Sequence, residues 1–175
     1  MTGTQQAAPD SLHAGPANTP SSTMRLELGG ELTRIGGTAI GPGLDRLQRD
    51  YFRGGQPLAL SMENAIADIE DMLATVPRAL HGIAVSTQEP AMRVLATAAG
   101  LGPQAPTLTR EAVEQLFARQ SAVALGRPAT SERLPQDAFF VPALLLVREM
   151  MHHLDIAALH LNPDISVSLS KERFP

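Results

Sequence analysis

The stretch that most constrains the fold spans residues 136–169, QDAFFVPALLLVREMMHHLDIAALHLNPDISVSL. Residues 138–147 form the most continuous apolar run in the chain, and polar residues return at Arg148, Glu149, His152, His153 and Asp155. Beyond Asn162-Pro163, residues 165–169 alternate strictly between apolar and polar. The run reads as a buried helix, a short connection and a half-buried strand returning to the core. Its apolar payload makes it the element on which other segments pack. Pro142 inside the helical stretch either kinks it or marks its first turn.

A chain of 175 residues has room for one domain and a tail. Its 43% hydrophobic and 18% charged content suits a soluble globule. Aromatic residues make up only 3%, which argues against a base-stacking surface. A formal net charge of −4 argues against a nucleic-acid backbone as partner, and mildly against anionic membranes. No apolar run approaches the roughly 20 residues that span a bilayer. The first residues lack both the basic region and the apolar core of a signal peptide, so a cytoplasmic location is expected. The absence of cysteine excludes disulfides, thiolate zinc sites and cysteine nucleophiles.

Residues 1–23 are rich in Pro, Gly, Ala, Ser and Thr and read as a disordered tail ahead of one domain over 24–175. MRLEL predicts a strand, Gly29-Gly30 a turn, and residues 31–35 the returning strand. Gly36-Gly37-Thr38 and Gly41-Pro42-Gly43 follow closely. Such glycine density can cradle phosphate, but the spacing fits neither a P-loop nor GxGxxG and no Lys accompanies it, so hairpin and turn chemistry is the favoured reading. Residues 44–52 predict a short helix closed by Gly54-Gly55. Ser61 is placed as the cap of an amphipathic helix burying Met62, Ile66, Ile69, Leu73 and Val76. Glu63, Asp68, Glu70 and Asp71 occupy its other side as a solvated face. Residues 80–86 predict a strand, and Pro90 opens a helix ended by Gly100. Thr109 caps another helix that buries Val113, Leu116, Phe117 and Val123 and stops at Gly126. Residues 127–135 are a polar connection. The total is about four strands and five helices, interspersed as in an α/β layered domain.

Glu149-x-x-His152 has the helical spacing used in dinuclear carboxylate bundles. Those sites need a second such pair, which is absent, so His152, His153 and His160 read as boundary residues and no metal is expected. No G-x-S-x-G elbow anchors a nucleophile.

The order of these segments resembles the second half of the exopolyphosphatase / guanosine-pentaphosphate phosphohydrolase family, of the actin-like ATPase superfamily with ribonuclease-H-like cores. LELGGEL resembles the family's glycine-rich strand–turn–strand, and Gly43-Leu44-Asp45-Arg46-Leu47 its G-A-V-R-L-T-E segment. IAVSTQEPAMRVLATAAGL stands where a strand runs into a glycine–threonine loop and a helix. Leu108-Thr109-Arg110-Glu111 resembles the opening of the next helix, and residues 136–169 the R-A-D-x-I-x-x-G-A stretch, with Asp137 on its aspartate. The departures are specific. Only Gly29 and Gly30 survive of D-I-G-G-G-S-T, and Ser86-Thr87-Gln88-Glu89 puts a carboxylate where phosphate would be cradled, which repels it. Pro135 and Pro142 replace the motif's arginine and glycine, and Ser170-Lys171-Glu172-Arg173 stands in place of the terminal G-L-R-E-G. The family's first domain, with the catalytic glutamate, has no counterpart here.

The resemblance implies an α/β ribonuclease-H-like half with a small mixed sheet and about five helices. Because phosphoryl chemistry needs donors and cations on both sides of the anion, it implies a non-catalytic interaction or regulatory module without cofactor. Such a module would complete a protein partner or a second copy of itself. The alternative is a magnesium-dependent phosphohydrolase of polyphosphate or guanosine penta/tetraphosphate. In that case Gly29, Gly30, Gly37, Arg46 and Thr87 would hold phosphate, with Glu31 or Glu89 aiding a metal-bound water.

Overall fold

Alternation along MRLEL makes the first strand. In a computed structural model, which describes residues 23–53 and 57–162, β1 (Met24–Leu28) buries Leu26 and exposes Arg25 and Glu27. It pairs antiparallel with β2 (Leu32–Ile35), placing Glu27 opposite Arg34. Such an opposite-charge cross-strand pair favours this register. A second hairpin adds β3 (Thr38–Pro42), with a bulge between Thr33 and Arg34. Gly36 and Gly37 turn this hairpin with positive φ of 55° and 85°, a conformation glycine adopts without steric cost.

The remaining strands extend the sheet on the other side of β1. Both β4 (Val85–Thr87) and β6 (Ala158–Leu161) run parallel to β1, and β5 (Thr107–Thr109) is antiparallel at the edge. The order across the sheet is β3-β2-β1-β4-β6-β5. Between the strands lie α1 (Leu44–Tyr51), α2 (Ala59–Leu73), α3 (Pro90–Ala98), α4 (Arg110–Ala124), the short α5 (Ala129–Glu132) and α6 (Phe140–His153). This is the α/β architecture expected, with six strands and six helices among the described residues.

The long apolar run becomes α6, which is buried almost all round and packs on α2, α4 and α3. Leu144, Leu145, Leu146 and Val147 are fully buried although they occupy four consecutive helical positions. A helix apolar on every side belongs inside, covered by neighbours. Pro142 lies in its first turn, where the missing N–H costs nothing. No helix among the described residues is long and apolar enough to cross a membrane.

Several expectations change. The strand after α6 is β6, reached through a turn at Asp155 with φ of 52°. The expected strand at 165–169, the tail reading of residues 1–22, the Gly54-Gly55 stop and residues 170–173 lie outside the described residues. Helix α2 starts before Ser61. Its N-cap is Leu58, which offers no side-chain hydrogen bond. The predicted strand at 80–86 is shorter, because Arg78–Leu80 forms a 3-10 turn and pairing begins at Val85. Thr109 does cap α4, its Oγ1 accepting from the Ala112 N–H at 3.2 Å.

Candidate functional site

In open α/β sheets ligands gather beyond the carboxyl ends of parallel strands, next to a change of strand direction. Here those ends are Leu28, Thr87 and Leu161. The turn after Leu28 leads away to β2, and the loop after Thr87 leads into α3. Gly29, Gly30, Thr87 and Glu89 therefore converge at one end of the sheet, with the start of α1 against them.

The contacts there are internal. The Gly43 N–H donates to the Glu31 carbonyl at 2.9 Å, Leu44 N–H to Gly29 at 3.0 Å, and Arg46 N–H to Gly30 at 3.0 Å. A helix N-terminus binds anions through amides that its own turns leave free. In α1 two of those amides, on Leu44 and Arg46, face carbonyl oxygens instead, as does the N–H of the N-cap Gly43. The approach is close enough that a Cβ on Gly43 would lie 2.3 Å from the Gly30 oxygen, so only glycine fits. A Cβ on Gly30 would likewise meet the Asp45 carboxylate at 2.4 Å.

Glu89 closes the neighbouring position. Its Oε1 accepts from the Leu28 N–H at 3.1 Å, at the end of β1. Thr87 is buried. Its hydroxyl donates to the Leu26 carbonyl at 3.3 Å and accepts from the Glu89 N–H at 3.1 Å, folding the loop back on the strand. Arg46 reaches both Asp68 oxygens through one nitrogen, at 2.9 Å each, and lies 3.8 Å from Asp50. Arg49 donates to Glu31 at 2.8 and 3.3 Å. That hydrogen bond holds the Glu31 carboxyl below the usual range despite a small opposing effect of burial, and it pushes Arg49 upward.

The structure thus brings together four of the five residues expected to hold phosphate and separates the fifth. Gly37 sits in the β2–β3 turn, at the amino end of β1 where the Gly36 N–H bonds Arg25. Four strand steps of about 3.4 Å put it roughly 14 Å from the Gly29 turn. Sequence reasoning missed Arg93, one turn into α3. Its guanidinium donates to the Ala105, Leu161 and Asn162 carbonyls at 2.7, 2.8 and 3.2 Å, tying the end of β6 to the loop before β5. The only sequence signal is an arginine one turn after the strand-to-helix loop. Asp137 accepts from the Phe139 N–H at 2.8 Å and helps start α6. It also lines a cleft of about 400 Å³ with Gln48, Phe52, Gln120 and Val141, which none of the five expected residues lines.

The Glu149–His152 pair is split. His152 turns to Glu114 on α4, and Arg148 donates to both Glu114 and Glu149 while its guanidinium lies 4.1 Å over the Phe117 ring.

Solved structures share this architecture, among them three of Aquifex aeolicus. A Ppx/GppA enzyme of Aquifex aeolicus superposes with a TM-score of 0.58 at 14% identity, over 81% of this chain and 53% of that one. A second structure of that organism's family member gives a TM-score of 0.57 at 14% identity, over 87% and 57%. The type II variant of the Aquifex aeolicus Ppx/GppA phosphatase gives 0.56 at 16% identity, over 86% and 57%. The fold is that of one half of a Ppx/GppA protein. No family model and no curated protein matches the sequence. The chain spans about half the length of the Ppx/GppA structures it matches. The expected actin-like, ribonuclease-H-like arrangement is therefore present at a level of identity where only the fold is shared.

Proposed function

We propose that this chain is a non-catalytic, exopolyphosphatase-like interaction or regulatory module that completes a partner chain. The observation that carries the reading is the closed end of the sheet. The Gly43, Leu44 and Arg46 N–H groups at the start of α1 are taken by the carbonyls of residues 29–31, and the Glu89 carboxylate holds the Leu28 N–H. An incoming phosphate would have to displace these bonds and face Asp45, Glu89 and Glu31. Phosphoryl transfer requires donors and cations already aimed at the developing charge. Arg46 and Arg49 are committed to Asp68 and Glu31, and Arg93 to backbone carbonyls. The half-length match to Ppx/GppA structures supports a complementary half as the partner.

The test is calorimetric titration of the purified chain with short-chain polyphosphate and magnesium at low and moderate salt. Phosphate release from polyphosphate and guanosine penta/tetraphosphate is assayed alongside. No saturable heat and no release are expected. Magnesium-dependent release that is lost in Arg46→Ala would overturn the reading in favour of a phosphohydrolase. Gly30→Val is a poorer probe, because its Cβ would push the Asp45 carboxylate aside whatever the function.

A further inference from the structure

Helix α6 runs antiparallel to β6, so its last turn lies at the amino ends of the parallel strands, away from the closed site. The Leu154 carbonyl there accepts from the Gly82 N–H at 2.7 Å, beside the segment entering β4. On this turn Glu149 and His153, four residues apart, share one face. Glu70 of α2 meets them, its Oε1 3.4 Å from His153 Nε2, while Glu149 Oε2 lies 4.0 Å from the same nitrogen. One donor atom from each of the three falls within 4.8 Å of the others.

We propose that Glu70, Glu149 and His153 form a binding site for a divalent transition metal ion, zinc foremost. Donor spacing is the first support. Zinc–ligand bonds of about 2.0–2.2 Å separate tetrahedral donors by roughly 3.3–3.6 Å. The Glu70–His153 distance already fits, and the 4.0 Å distance needs a shift of about half an ångström, within reach of the two exposed side chains.

The second support is Glu149 itself. Its side chain is only 4% exposed, and among the described residues its one hydrogen bond is from Arg148 to Oε1. The other oxygen, Oε2, points into the cluster without a hydrogen-bond donor. Oε2 is reached by solvent rather than sealed in, so burial of the side chain fixes its aim and leaves that oxygen open to a cation. The arginine on Oε1 is the kind of outer partner that fixes a ligating carboxylate in place.

Charge gives a third. Glu70, Glu114 and Glu149 stand against the single guanidinium of Arg148. Carboxylates thus outnumber guanidinium groups by two, an imbalance that a dication offsets. A neutral imidazole with two carboxylates is a donor set for zinc rather than for magnesium or calcium, and three protein ligands leave a position for water.

The experiment is calorimetric titration of the full chain with zinc chloride at about pH 7, where imidazole is mostly neutral. Glu70→Gln, His153→Gln and the control His152→Gln are titrated in parallel, with circular dichroism confirming that each is folded. One equivalent of zinc is expected, weakened by about tenfold or more in Glu70→Gln and His153→Gln and unchanged in His152→Gln. Cobalt substitution gives a second readout: visible d–d absorption of four-coordinate cobalt, lost in the same two variants. No saturable uptake, uptake unaffected in both variants, or uptake lost only in His152→Gln overturns the proposal.

Discussion

Glu89 shows how one side chain can close a site. Its carboxylate accepts the Leu28 N–H at the point where the parallel strands end. Glu89→Ala leaves that amide without its partner and is expected to cost about 1–2 kcal/mol, read by urea unfolding, whereas Glu89→Gln keeps a carbonyl acceptor and costs less. Glu114 makes a pH prediction. Burial raises its pKa, but hydrogen bonds from His152 and Arg148 outweigh burial and hold it below the ordinary value. A carboxyl depressed in the folded state adds stability above its unfolded pKa of about 4.3 and loses it as pH falls through the lower folded value. Thermal unfolding between about pH 5 and 2.5 should therefore decline less steeply in Glu114→Gln than in the parent; identical slopes would refute this. The sequence showed which residue types were present at such places but not their partners. His152 and His153 are adjacent in sequence, yet one faces α4 and the other α2, a difference of about 100° around the helix.

At the scale of elements, the long periodic segments were legible and the short or glycine-rich ones were not. α4 and α6 announce themselves by apolar content and by Thr109, Gly126 and Pro142. β3 reads TAIGP, without alternation, and is a strand only because β2 pairs with it. β5 is three residues long and shares Thr109 with the cap of α4, so the helix signal conceals it. α2 starts earlier than its serine suggests, at a leucine that is 64% exposed and caps nothing. Leu58→Asp should thus supply both a side-chain acceptor and a negative charge to that N-terminus. A gain of about 0.5–1 kcal/mol is expected, measured by chemical denaturation. The closed end of the sheet was the least legible part, because backbone carbonyls rather than side chains fill it.

For the molecule as a whole, stability is concentrated in α6. It contributes consecutive fully buried residues to one continuous core shared by the sheet and α1 to α4. Leu145→Ala should cost about 2–5 kcal/mol through lost burial and a cavity that close neighbours cannot fill. Against a total of about 5–15 kcal/mol this is a large fraction, so the urea midpoint should fall sharply with little change in slope. The two outermost strands carry a different consequence. β3 ends in a proline and carries an unpaired bulge residue, Ile40, and β5 is three residues long and turns at once into a helix. Bulges, prolines and brevity all make poor templates for adding another strand. Among the described residues the sheet is thus finished at both margins. A companion molecule would have to be met through side chains on the helical layer, where a single substitution can sever the attachment and leave the scaffold intact.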